Sequence, residues 1–284
     1  MSSDKDPYNA RIVERRLLHD TLGIFRIAYE GADVPDFEPG QFTNLGLIAP
    51  PEAKPTETGF DVEGPQAQRR RPGRVRLVRR AYSICSPPNE KRWLEFYIIA
   101  VNEGALTPRF FDLQVGDRLF MDTKIKGRFT LEGVPDGKDL VTVATGTGIA
   151  PFLSMYQQYK DAPGRFSRFV FIHGVRFAKD LGYRDELLQI AKDDLRVHYL
   201  PMVSREPDST WDGLRGRVTS VFQADQYEQL IGAPLSPEQC HLFLCGNPAM
   251  IDQLEEELTA EDGPGFVAQT PRQKDGNLHF ERYW

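Results

Sequence analysis

The chain is poor in cysteine, and that scarcity excludes several chemistries at the outset. Its 284 residues contain three cysteines, Cys85, Cys240 and Cys245, whose positions form neither a disulfide framework nor a thiolate metal site. Three thiols also fall short of the four that hold a usual iron–sulfur cluster, and they suit a reducing compartment. Long hydrophobic runs are missing as well: no stretch approaches the roughly 18 apolar residues that cross a bilayer. Residues Met1–Pro7 lack the apolar core of a signal peptide, so a cytoplasmic protein with no membrane association is expected. An excess of positive charge is also absent. The formal net charge is −6, which makes nucleic acid a poor partner. No metal-ligand cluster and no Ser-His-Asp arrangement is visible. What remains, 40% apolar and 27% charged residues, is ordinary for a soluble globular enzyme long enough for two domains.

The two halves differ in rhythm. Segments near Ala10–Leu18, Leu22–Glu30, Gln41–Leu47, Arg80–Ile84, Leu94–Val101 and Arg118–Met121 are short β-type runs broken by Gly, Pro and Asp, the pattern of a small antiparallel barrel. From Val141 onward, strand-like runs (Val141–Ala144, Phe169–Ile172, Val197–Met202, His241–Leu244) alternate with helix-like ones. That alternation indicates an α/β domain with a doubly wound parallel sheet. The expected division is 1–134 and 135–284, near Val134-Pro135-Asp136-Gly137. No internal repeat is found.

Three motifs carry chemistry. Arg80-Ala81-Tyr82-Ser83 puts a fixed cation, a flat ring and a hydroxyl on one strand, with Arg80 and Tyr82 on one face and Ala81 and Ser83 on the other. Such a set can hold a flavin nucleotide by its phosphate, its ring and a ring nitrogen; it can equally be an edge strand with a surface arginine. Thr145-Gly146-Thr147-Gly148-Ile149-Ala150-Pro151 follows a β-branched run and opens a helix with Pro151 in its first turn. Glycines there let backbone approach a phosphate at a helix N-terminus, although the third glycine of the common G-x-G-x-x-G pattern is missing. Cys245-Gly246-Asn247-Pro248 lies at a second strand-to-helix turn, before the helix-like stretch Ala249–Leu258.

Taken together, R-A-Y-S, T-G-T-G-I-A-P-F, C-G-N-P and an aromatic carboxyl terminus resemble the ferredoxin–NADP reductase family, in particular its bacterial ferredoxin/flavodoxin branch. The resemblance covers the chain except residues 50–78. It implies an FAD-binding barrel domain followed by an NADP-binding α/β domain, acting with a ferredoxin or flavodoxin. It places Arg80 on the FAD diphosphate, Ala81 and Tyr82 along the flavin, and Ser83 near N5. Tyr97, Ile98, Ile99 and Ala100 would line the cofactor. Ala105, Leu106 and Thr107 would offer backbone N–H groups and a hydroxyl to the diphosphate, and Thr147 would approach the flavin from the second domain. Tyr283 would cover the flavin ring and Trp284 would stack on adenine, unless this end is only an aromatic clamp between domains. Ser83, Cys245, Glu281 and Tyr283 form the catalytic set implied around the reacting rings. Hydride transfer demands no acid or base from Cys245 or Glu281, and Cys245 can equally be a small packing residue. His173 and His241 read as structural.

Nucleotide choice turns on Arg176, Ser204, Arg205 and Arg217, which follow strand-like runs and match the family's NADP contacts, with Gly146, Gly148 and Asn247 at the phosphate-binding turns. Several cations suit a 2′-phosphate, whereas an NAD site places an acid against the ribose; Glu206 beside Arg205 is a mild contrary sign. Residues 51–78 are an insertion relative to this family. They hold Arg69, Arg70, Arg71, Arg74 and Arg76, with Arg79 just beyond and no acidic residue among 66–80. The insertion reads either as a solvated loop or as a docking surface that steers an acidic electron carrier. Two rival functions share the pattern: the reductase component of a multicomponent oxygenase, which more often prefers NADH and carries an iron–sulfur domain, and a flavin-binding redox sensor without turnover. Oligomeric state is expected to be monomeric.

Overall fold

The computed structural model of the protein describes residues 6–49, 76–101, 103–207, 210–270 and 273–283. Two compact units emerge, one running to Arg128 and one covering Phe129–Tyr283.

In the first unit, β1 (Ala10–His19), β2 (Leu22–Tyr29), β3 (Phe42–Ala49), β4 (Arg76–Ser83) and β5 (Leu94–Ile99) are followed by a short helix, α1 (Thr107–Asp112), and β6 (Arg118–Met121). The sheet order is β4-β3-β6-β1-β2-β5, and every pairing is antiparallel. Just past β4, the Cys85 N–H donates to the Glu95 carbonyl of β5 at 2.8 Å. The two edges therefore meet, and the sheet closes into the expected barrel. Its interior is filled by alternate side chains, with Phe25, Phe96 and Phe110 fully buried. Phe110 reaches in from α1 and meets Phe25 edge-on at 4.9 Å, the geometry that opposes the ring quadrupoles favourably.

One expectation about the insertion is corrected here. Arg76, Leu77 and Val78 belong to β4, paired with Ala49, Ile48 and Leu47. The basic composition hides a strand whose alternate residue Val78 is buried in the barrel core. The remainder of the insertion, with Arg69, Arg70, Arg71 and Arg74, lies outside the described residues, as does Trp284.

The second unit runs β7 (Lys138–Thr145), α2 (Ala150–Tyr159), β8 (Phe166–Val175), α3 (Arg184–Asp193), β9 (Val197–Val203), β10 (Leu214–Arg215), α4 (Gln226–Ile231), β11 (Cys240–Gly246), α5 (Pro248–Thr259) and β12 (Leu278–Arg282). Its sheet is wholly parallel, in the order β10-β9-β8-β7-β11-β12. Parallel strands are covered on both faces, so they read as continuous apolar runs; all seven residues of β11 are buried. The unit begins ahead of the expected start at Pro135 because Phe129 packs on Phe152 at 5.9 Å and Phe243 at 5.3 Å. Among the described residues, no helix is long and apolar enough to cross a membrane. None of their His, Cys, Asp and Glu side chains group in threes to hold a metal ion.

Candidate functional site

From β7 the chain builds outward through β8, β9 and β10, then returns to add β11 and β12 on the other side. The sheet order thus reverses between β7 and β11, and α/β sheets bind their ligands beyond the C-terminal ends of the strands at such a point. Both glycine turns singled out in the sequence sit there. β7 runs into a 3-10 turn, Gly146–Ile149, and then α2, while β11 runs through Asn247 into α5. The turns touch. A Cβ on Gly148 would lie 2.4 Å from the Cys245 carbonyl oxygen, and one on Gly246 would lie 2.2 Å from the Thr145 hydroxyl. Gly246 also has φ +127, a conformation that side chains disfavour. Any larger residue at either position would force the turns apart.

Hydrogen bonds fix this junction. The Asn247 N–H donates to the Thr145 hydroxyl at 2.8 Å, and the Asn247 side-chain oxygen accepts from the Ala249 N–H, capping α5. Thr145 opens the glycine motif seen in the sequence, which assigned it no role of its own; the structure gives it this one. His173 of β8 is fully buried, with Nε2 2.8 Å from the Gly146 carbonyl oxygen and Nδ1 3.4 Å from the Tyr199 hydroxyl. A carbonyl can only accept, so Nε2 carries the proton and Nδ1 faces the hydroxyl unprotonated. Burial pushes this imidazole down to about 4. It is a neutral strut for the glycine turn.

Beside the turns lies a trio from neighbouring strands. Cys245 and Glu281 are register partners in the β11–β12 ladder, and the Tyr283 N–H donates to the Gly246 carbonyl at 3.0 Å. Burial first, then the nearby Glu281 carboxylate, pushes the Cys245 thiol well above its ordinary range, while the Tyr283 hydroxyl pulls the other way. Cys245 is therefore a neutral thiol at physiological pH. Arg282 anchors this strand to α5 by ion pairs with Asp252 and Glu255, each at 2.8 Å.

A third feature is cationic. β8, β9 and β10 are adjacent and parallel, so their C-terminal exits align: Val175 pairs with Val203, and Val203 with Arg215. Arg176, Ser204 and Arg205, and Arg217 follow those three exits, and all four side chains are exposed. The Arg205 N–H donates to the Arg176 carbonyl at 2.9 Å, and the Ser204 N–H to the Val175 carbonyl at 3.0 Å. Among the described residues, no carboxylate lies within ion-pair distance of Arg176, Arg205 or Arg217.

In the barrel unit, Arg80 and Tyr82 share a face of β4. Tyr82 stacks on Phe110 at 6.4 Å with planes 28° apart, and burial raises its phenol above the ordinary value. Arg80 donates to the Arg79 carbonyl at 2.8 Å; Ala81 is exposed and Ser83 buried. The four residues expected along β5 divide by face: Ile98 and Ala100 pack in the barrel core, while Tyr97 and Ile99 leave the other side. Leu106 also belongs to that core, and Ala105 packs against it. The Thr107 hydroxyl is engaged with Val101, accepting from its N–H at 2.9 Å and donating to its carbonyl at 3.2 Å. That leaves the loop backbone before α1 as its main polar resource. Arg109, which sequence reading did not single out, holds a buried Nη1 with no hydrogen-bond partner among the described residues; an arginine between apolar neighbours in T-P-R-F-F was the available sign.

Comparison with known proteins matches this geometry to a family. Residues 142–256 match the model described as the oxidoreductase NAD-binding domain. The chain is 32% identical over 254 residues to a flavodoxin/ferredoxin–NADP reductase of Buchnera aphidicola, spanning 89% of this chain and 90% of that one. It is 30% identical over 284 residues to a ferredoxin–NADP reductase of Pseudomonas aeruginosa, covering 97% and 96% of the two. The chain belongs to the ferredoxin–NADP reductase family. It superposes with a TM-score of 0.77 on a ferredoxin NADP+ reductase from Neisseria gonorrhoeae solved with bound FAD and NADP, at 26% identity over 98% of this chain and 99% of the other. The two-domain reductase fold expected from the motifs is therefore the observed one, and family membership makes the chain an oxidoreductase.

Proposed function

We propose that this protein is an FAD-dependent ferredoxin/flavodoxin–NADP+ reductase. It exchanges hydride with NADP(H) and single electrons with a ferredoxin or flavodoxin. One observation carries the reading: three exposed arginines, without ion-pair partners among the described residues, and a serine at adjacent strand exits beside the switch point. A 2′-phosphate needs such a set, and an NAD site does not.

The residues present fit both nucleotides. In the barrel unit, Arg80 is a cation whose guanidinium donates to the Arg79 carbonyl, and Nη1 of Arg109 is a buried donor, without a partner among the described residues, that an anionic ligand would satisfy. Arg80 holds the FAD diphosphate with the loop backbone at Ala105, Leu106 and Thr107. Tyr82, positioned by Phe110, orients the ring system, with Ala81 beside it and the Ser83 hydroxyl near N5. Tyr97 and Ile99 line the cofactor, while Ile98 and Ala100 support it from the core. When bound, the flavin supplies the chemistry, taking electrons in pairs from the nicotinamide and releasing them singly. In the α/β unit, Arg176, Ser204, Arg205 and Arg217 take the 2′-phosphate, and the Gly146–Gly148 turn with Asn247 takes the remaining phosphates. Cys245, a neutral thiol, packs at the nicotinamide without ionising. Glu281, the register partner of Cys245, would border the same place.

Stopped-flow flavin reduction tests this reading. NADPH should bleach the flavin under anaerobic conditions much faster than NADH, and a ferredoxin or flavodoxin should then reoxidise it. Preference for NADH would favour an oxygenase reductase component, and a flavin that neither nucleotide bleaches would favour a redox sensor.

The same reading makes the protein a cytoplasmic monomer that meets a diffusible acidic carrier, and the positive charge of the Arg-rich insertion steers it. Attraction of this kind falls steeply with ionic strength. Replacing Arg69, Arg70, Arg71 and Arg74 with Ser should slow carrier reduction at low salt and leave reduction of a neutral quinone unchanged. Identical carrier rates in variant and parent would leave the insertion no part in steering the carrier.

A further inference from the structure

Glu206 directly follows Arg205, and a carboxylate beside a phosphate-binding arginine is ordinarily a repelling charge. Its surroundings point elsewhere. Oε2 accepts from the Ala178 N–H at 2.7 Å, and Oε1 lies 3.1 Å from the Thr210 hydroxyl. Ala178 opens the 3-10 turn Ala178–Asp180 just after Arg176. The carboxylate thus ties the loop that carries Arg205 to the loop that carries Arg176. The backbone bond from Arg205 to Arg176 closes the same pair of loops. From the other side, the Arg215 guanidinium donates to the carbonyls of Glu206 at 2.9 Å, Pro207 at 3.2 Å and Trp211 at 2.5 Å. Below them, Val175, Leu181, Val203 and Trp211 form a small buried cluster that both loops rest on. Glu206 makes no ion pair with Arg176, Arg205 or Arg217 among the described residues, so it does not neutralise them.

Two effects of opposite sign compete at this position. Repulsion between Glu206 and a bound phosphate acts at an exposed edge and is screened by water and salt. The bond to Ala178 is a charge-assisted hydrogen bond made within the protein, and it fixes where two arginine-bearing loops stand relative to each other. Positioning two guanidinium groups for one phosphate recovers ordering cost that flexible loops would otherwise incur on binding.

We propose that Glu206 is a positioning residue for nucleotide selection: its carboxylate, held by Ala178 and Thr210, sets the spacing of Arg176 and Arg205 for a 2′-phosphate. This rests on the reading of that edge as the 2′-phosphate site. The sign of the outcome separates the alternatives. In the FAD-loaded full-length protein, Glu206→Ala should weaken binding of 2′,5′-ADP by about tenfold and raise the KM for NADPH to match. Its kcat with NADPH and its KM for NADH should stay unchanged. Glu206→Gln, whose side-chain oxygen can still accept from Ala178, should recover most of the affinity although it has lost the charge. Tighter 2′,5′-ADP binding in either variant would make Glu206 a repelling charge, and unchanged binding in Glu206→Ala would give it no role; both overturn the proposal. Arg205→Ala, measured alongside, keeps the two readings apart. If it too leaves 2′,5′-ADP binding unchanged, the phosphate site itself is misplaced.

Discussion

Lowering the pH from 7 to 4 should cost the α/β unit roughly 3 kcal/mol of stability through His173 alone. Its imidazole is fully buried, donates to the Gly146 carbonyl, and is pushed by burial from an ordinary 6.5 to about 4. A histidine whose folded value is depressed stabilises the fold fully above its unfolded value. As pH falls, the unfolded chain takes up a proton that the folded chain refuses, so stability declines from about 6.5 and the contribution is lost by about 4. A second group adds in the same direction. His241 Nδ1 lies 3.2 Å from His279 Nε2, and His279 Nδ1 lies 2.8 Å from the Gln269 side-chain oxygen. Phe243 stacks on the His279 ring at 4.1 Å. Burial depresses both rings, His279 to about 3, with Lys138 and Arg165 adding to the effect on His241 and His241 adding to that on His279. Carboxylates held low by arginine, such as Asp194 beside Arg196, begin to lose their share only nearer 4, so the two windows separate. Urea unfolding followed between pH 7 and 4.5 should show the midpoint falling throughout. His173→Asn should flatten that slope while lowering the midpoint at pH 7. A midpoint in the parent that does not move over this range would refute the assignment.

Much of this site was legible because the chemistry concentrates in short runs where strands turn into helices. T-G-T-G-I-A-P and C-G-N-P announce themselves by glycine, and the structure sets them at the one place where strand order reverses. Other parts were illegible for identifiable reasons. β12 carries His279 between Leu278 and Phe280 and ends in Glu281 and Arg282, too polar to read as a buried strand until the neighbouring β11 supplies its ladder. β10 has two residues and exists only by pairing with Met202 and Val203. Phe129 joins the second unit through aromatic partners far along the chain, contacts that no local pattern encodes. The Thr107 hydroxyl looked available for a diphosphate, yet its own loop occupies it. Glu206 looked like a contrary sign because sequence shows the neighbour on either side and not the N–H on the adjoining loop.

Arg205→Ala should lower kcat/KM for NADPH about ten- to a hundredfold, since a charge-assisted bond to phosphate contributes roughly 1.5–3 kcal/mol. NADH use should barely change, because nothing on that nucleotide occupies the place of the 2′-phosphate. The arginine leaves the exit of β9 with its backbone N–H already committed to Arg176, so the side chain is displayed from a fixed point. Being exposed, and without an ion-pair partner among the described residues, it strands no buried partner among them when removed. Arg176 and Arg217 remain at the flanking strand exits and set the floor of the loss. Arg205→Lys should fall between, since an ammonium keeps the charge and forfeits the planar two-pronged contact. The parent's kcat/KM for NADPH should rise more steeply than the alanine variant's as salt is lowered, so the defect deepens at low salt, because the missing term is a screened attraction. Steady-state kinetics with both nucleotides check this directly, and equal losses for NADPH and NADH would remove Arg205 from the 2′-phosphate site.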